Sequence, residues 1–151
     1  MRRWKLWADK SRADDGSASL EFVAAGLILL LPIVYLVLAL ASIQAGAFAA
    51  EAAARQAARL FVQAQTLDAA QGVADRAIQF ALADYGVAAD DASVEIVCVP
   101  AACLEPGAIV TVTVTVEVPL PLVPAVLQGS FPLQVTLEGV AAQRVSRFGT
   151  G

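Results

Sequence analysis

The side chains in this chain that could do chemistry are few and far apart. Its two cysteines, Cys98 and Cys103, are separated by Val99-Pro100-Ala101-Ala102. That distance lets two thiols close a small ring at the base of a hairpin loop, and it differs from the C-x-x-C spacing of redox motifs. With no histidine in the chain, the two thiols cannot complete a four-ligand zinc site, and histidine-based acid-base catalysis has no candidate. The other group that draws notice is Glu21, a carboxylate at the mouth of a long apolar run. No nucleophile and base stand out together, and the scattered acids read as solvated faces of helix and strands. The expectation is a protein that is not an enzyme, with no cofactor, no metal and no small-molecule substrate.

The run that Glu21 opens is what positions everything else. No charged side chain occurs between Glu21 and Glu51. As a helix, Phe22 to Ile43 would be roughly 33 Å long at ~1.5 Å per residue, enough for a ~30 Å hydrocarbon core. With 58% hydrophobic residues over 151 positions, the chain has room for one span and one small exported domain. Pro32 inside the run removes one helical hydrogen bond and is expected to bend it. Gly26 has no GxxxG partner and is read as an ordinary glycine.

Before the run stand Arg2, Arg3, Lys5, Lys10 and Arg12, against Asp9, Asp14 and Asp15. Just beyond it only Arg55 and Arg59 are basic, so the bias predicts a cytoplasmic N-terminus and an extracytoplasmic C-terminal domain in the inner or cytoplasmic membrane. Trp4 and Trp7 are suited to headgroup depth or to a solvated tail. A cleaved secretory signal, with a cut near Ala41 or Ala47, is the competing reading. The apolar run exceeds the usual ~7–15 residues of such signals, and an acid at its start is foreign to them. A net charge of −4 offers no electrostatic footprint for nucleic acid.

The residues Gly16-Ser17-Ala18-Ser19-Leu20-Glu21-Phe22 resemble the processing site of type IV pilin-like proteins, in particular the Tad (tight adherence, or Flp) class. Those sites have a glycine, four residues, a glutamate, an aromatic residue and then the apolar helix. Phe22 stands where major pilins of the class usually have tyrosine. The longer chain after the span is similar to the TadE/TadG-like pseudopilins, or minor pilins. The resemblance implies cutting after Gly16 by a prepilin peptidase, which makes Ser17 the new N-terminus and Glu21 the fifth mature residue. It also implies partners among other pilin subunits and Tad assembly proteins. The lost segment would carry five basic and three acidic residues, or +2, leaving −6 on the remainder of a chain of −4. A carboxylate near hydrocarbon is costly unless paired, and the new α-ammonium group is a candidate partner. A hydrated glutamate near the start of a helix is the plainer alternative.

After the run the chain is expected to stay helical from Gln44 to about Asp84. Ala47 to Ala58 is alanine-rich, and Glu51 precedes Arg55 by four residues. Leu60, Ala64, Leu67, Ala70, Ala74, Ile78, Leu82 and Tyr85 form a stripe near the 3.6-residue period, to cover a sheet or pair with a partner helix. Gly72 is a candidate bend and Gly86 a candidate stop.

From Val87 the period changes to two. Ser93 to Val99 reads as a short strand and Ile109 to Val118 as the clearest one, with Val110, Val112, Val114, Val116 and Val118 on one face. Leu133 to Glu138 alternates likewise, with a bulge expected at Gly139 before a continuation through Arg147. Outside the cytoplasm Cys98 and Cys103 favour a disulfide, a reduced pair being the alternative. Pro119, Pro121, Pro124 and Pro132 interrupt an otherwise mostly apolar loop, which is open to three uses: meeting the bilayer, meeting another pilin, or folding over the sheet edge.

The expected fold is thus an α+β membrane protein, a long N-terminal transmembrane and amphipathic helix followed by an antiparallel sheet of about three strands. Its segments are a basic leader at 1–16, a transmembrane assembly helix at 17–46, an extracytoplasmic helix at 47–86 and a β domain at 87–151. The expected function is that of a processed pseudopilin in a Tad/Flp-type pilus or related secretion assembly. The alternative is an uncleaved single-span structural protein of the export apparatus with a partner-binding domain.

Overall fold

In a computed structural model residues 17–123 and 133–148 are described. They form an α+β arrangement: helices α1 (Ser17–Phe61) and α2 (Leu67–Asp84), a short 3-10 turn (Ala89–Asp91), and strands β1 (Ala92–Val99), β2 (Ile109–Pro119) and β3 (Gln134–Arg144). By its contacts the chain divides into two units, Met1–Leu38 and Ala39–Gly151, and the boundary falls inside α1.

In the first unit every described side chain from Ala18 to Leu38 is exposed, although nearly all are apolar. A helix whose described side chains are exposed and almost all apolar is suited to lipid rather than water. By length and composition α1 can cross a membrane. The helix continues through Pro32.

The second unit is built on a three-stranded antiparallel sheet in the order β1-β2-β3. Alternation in β2 decides its faces: Val110, Val112, Val114 and Val116 are fully buried, while Thr111, Thr113 and Thr115 lie on the outer face. Ala49, Ala50, Ala53, Ala54, Ala57, Ala58 and Phe61 of α1 pack with that valine row, and so do Ala70, Ala74, Ile78, Ala81 and Leu82 of α2. Small side chains on α1 let it lie close to the sheet, with Phe61 as the large group at the end of its buried stripe.

Three expectations about this unit are corrected. The helix expected from Gln44 to Asp84 is two helices. At the end of α1 the bonds tighten to the three-residue spacing, Gln63 N donating to Leu60 O at 3.2 Å and Ala64 N to Phe61 O at 3.3 Å. Thr66 then caps α2, its Oγ1 accepting from Ala69 N at 3.2 Å. The break therefore lies at 62–66 and not at Gly72, which sits inside α2. Of the expected stripe, Ala70, Ala74, Ile78 and Leu82 are buried, while Leu60, Leu67 and Tyr85, which flank the two helix ends, are exposed.

Second, β3 has no bulge at Gly139. The register runs unbroken from Ile109↔Arg144 through Val114↔Gly139 to Pro119↔Gln134. The glycine is there because a Cβ would overlap the carbonyl of Ala50 and the amide nitrogen of Glu51 in α1. Third, β3 ends at Arg144, short of Arg147. Gly86 does stop α2: at φ 71° it lets its own N–H reach Ala83 O at 3.0 Å and that of Val87 reach Leu82 O at 3.0 Å.

Candidate functional site

The processing-site residues fall at the start of α1. Gly16 lies outside the described residues, as do Trp4, Trp7, Pro124 and Pro132. Ser17, the first described residue, is already helical. Glu21 and Phe22 follow one turn later, both exposed. Positions 17 and 21 share one face, about 5–6 Å apart between Cβ positions on an ideal helix. An amino group at Ser17 would therefore be within reach of the Glu21 carboxylate, and both would adjoin an apolar surface where such a pair is poorly screened.

The cysteines are joined. Cys98, the penultimate residue of β1, and Cys103 in the β1–β2 loop form a disulfide with a Cα–Cα distance of 5.0 Å. It closes the loop at the end of the hairpin where β2 begins. Glu51 and Arg55 form the expected exposed ion pair at 2.8 Å, one turn apart on α1.

Two groups that sequence reasoning did not single out matter to the second unit. Gly46 of α1 faces Val118 and Leu137, and a Cβ there would overlap the Val118 methyl group. With Ala49, Ala50, Ala53, Ala54, Ala57, Ala58 and Phe61 it makes a stripe at three- and four-residue spacing, a signal that was legible once alanine is counted as a core residue. Gln134 donates from Nε2 to Glu117 Oε2 at 2.6 Å across β2 and β3. Beside Glu117 is a cleft of about 260 Å³ lined in part by Ser42, Gly46, Tyr85, Asp91, Val118 and Pro119.

Among the described residues there is no group of metal-ligating side chains and no buried polar side chain. What this geometry offers is surface and packing: an exposed apolar helix with one carboxylate near its start, carried into a small disulfide-closed α+β unit. Comparison with protein-family models, curated proteins and solved structures gives no match.

Proposed function

We propose that this chain is a single-span, TadE-like pseudopilin that a prepilin peptidase cuts after Gly16, and that it then takes part in assembling a Tad/Flp-type pilus or related secretion apparatus. The observation that carries the reading is the unbroken course of α1 past Glu21. From Ser17, the first described residue, the helix passes Glu21 into an exposed apolar stretch without interruption. A cut after Gly16 then leaves a helix with its amino group one turn from its only carboxylate before Glu51. Apolar helices packed side by side would be brought into register by that charge pair, on one chain or between neighbours. The five basic residues of the leader would hold the N-terminus in the cytoplasm until the cut.

The packing of Gly46 also bears on a secretory-signal cut. A cut near Ala47 would remove Gly46 and the helical turn that lies on Val118 and Leu137. N-terminal sequencing of the membrane-derived protein tests the proposal. Ser17 as first residue supports it, Met1 replaces it with the uncleaved structural membrane protein, and a start near Ser42 or Phe48 replaces it with a secreted domain.

A further inference from the structure

Within the second unit, α1 and α2 each bury one side in the core, and the side they leave outward is not polar. A cleft of about 290 Å³ takes in Ala52, Leu60, Phe80 and Asp84, and another of about 450 Å³ takes in Leu60, Ala64 and Val73. Leu60 lines both, so the two form one groove between antiparallel helices. Phe48, its ring centroid 6.5 Å from that of Tyr85, stands at one end. From Phe48 to Ala64 the groove is ~24 Å long at ~1.5 Å per residue, room for about four turns of a further helix. Phe80 is 73% exposed, Phe48 57% and Leu60 37%. Large apolar side chains gathered in the open along one groove mark an interaction surface.

The middle of the groove is bordered by unpaired cations. Arg59 falls on the α1 row Ala52-Gln56-Arg59-Gln63, and Arg76 on the α2 row Val73-Arg76-Phe80, both at three- and four-residue spacing. Both arginines are exposed, and neither has an ion-pair partner among the described residues, whereas Arg55 is held by Glu51 at 2.8 Å. Asp84, the one acid in the lining, lies about two turns beyond Arg76, at the Tyr85 end. Two helices side by side offer a third helix the seat between them, apolar ridge into groove. Gln56 and Gln63 add amide groups that a peptide can bond and a lipid tail cannot. Carboxylates beside the apolar stripe of an incoming helix would meet Arg59 and Arg76.

We propose that the α1–α2 groove is the docking site for an amphipathic helix of another protein, its apolar stripe on Leu60 and Phe80 and its bordering carboxylates on Arg59 and Arg76. The groove lies wholly in the second unit, so the inference does not rest on a cut after Gly16. Full-length protein with the photo-cross-linker p-benzoylphenylalanine in place of Phe80 is irradiated in the cells that make it, and the joined peptide is read by mass spectrometry. The expected product joins a segment of another protein whose apolar residues recur at three- and four-residue spacing with Asp or Glu on both borders. R59E/R76E should lower its yield about tenfold, and R59K/R76K, which keeps the charge, should hold it within about twofold. Unchanged melting points for both variants separate this loss from unfolding. The same cross-linker at Gln79, exposed on another side of α2, should not give the product. Capture of lipid, of a second copy of this chain or of a segment without bordering acids overturns the proposal, as does no cross-link or a yield indifferent to R59E/R76E.

Discussion

Gly139 of β3 lies directly against Ala50 of α1, backbone to backbone, with no room for a Cβ between them. This one approach sets how closely the helix covers the sheet, and so how far the small side chains of α1 can reach the valine row of β2. It also makes position 139 the most sensitive place to add volume. Gly139→Ala is expected to destabilise the second unit by about 3 kcal/mol, the upper range for overpacking, because backbone and not a flexible side chain must move. Gly26→Ala, which meets nothing within 4 Å, is the matched control. Thermal unfolding in detergent compares the two, and equal melting points would contradict the close approach.

Phe61 fills the end of the α1 stripe and is fully buried. Phe61→Ala should cost about 3–5 kcal/mol, through lost transfer energy and the cavity left behind. Leu60→Ala, next in sequence but exposed, should stay within about 0.5 kcal/mol. Susceptibility to limited proteolysis gives the order of the two variants.

Thr66→Ala removes the oxygen that accepts from Ala69 N. The expected loss is about 1 kcal/mol, the usual value of an N-cap. Thr66→Ser should restore it. Faster amide hydrogen exchange over the first turn of α2 in the alanine variant alone is the signature.

The disulfide closes a short loop, and the chain-entropy account gives it about 2 kcal/mol. Native protein extracted without reductant should take up no thiol label, and denatured, reduced protein should take up label at both Cys98 and Cys103. Free labelling before reduction would contradict the bridge.

For the proposed function, Glu21→Ala is expected to leave membrane insertion intact, since it removes the one charged side chain between Ser17 and Glu51. It should sharply reduce co-recovery with pilin partners. Glu21→Gln should fail in the same way, because the amide keeps the shape and loses the charge. Unchanged recovery with either variant would remove the charge-pairing mechanism.

Much of this was legible in the sequence because it depends on local pattern. The apolar run announced a helix able to cross a membrane. The alternation Val110 to Val118 assigned both faces of β2, and Gly86 ended α2 as a left-handed glycine does. The break at 62–66 was less visible, because Leu60, Ala64 and Leu67 keep the helical period across it, and period alone cannot tell one helix from two that fold against each other. Only the tertiary structure decided the role of the glycines and alanines. Nothing beside Gly139 in the sequence distinguishes a bulge from a close approach, since both need a residue without a Cβ. The choice was made by a helix arriving from almost ninety positions earlier.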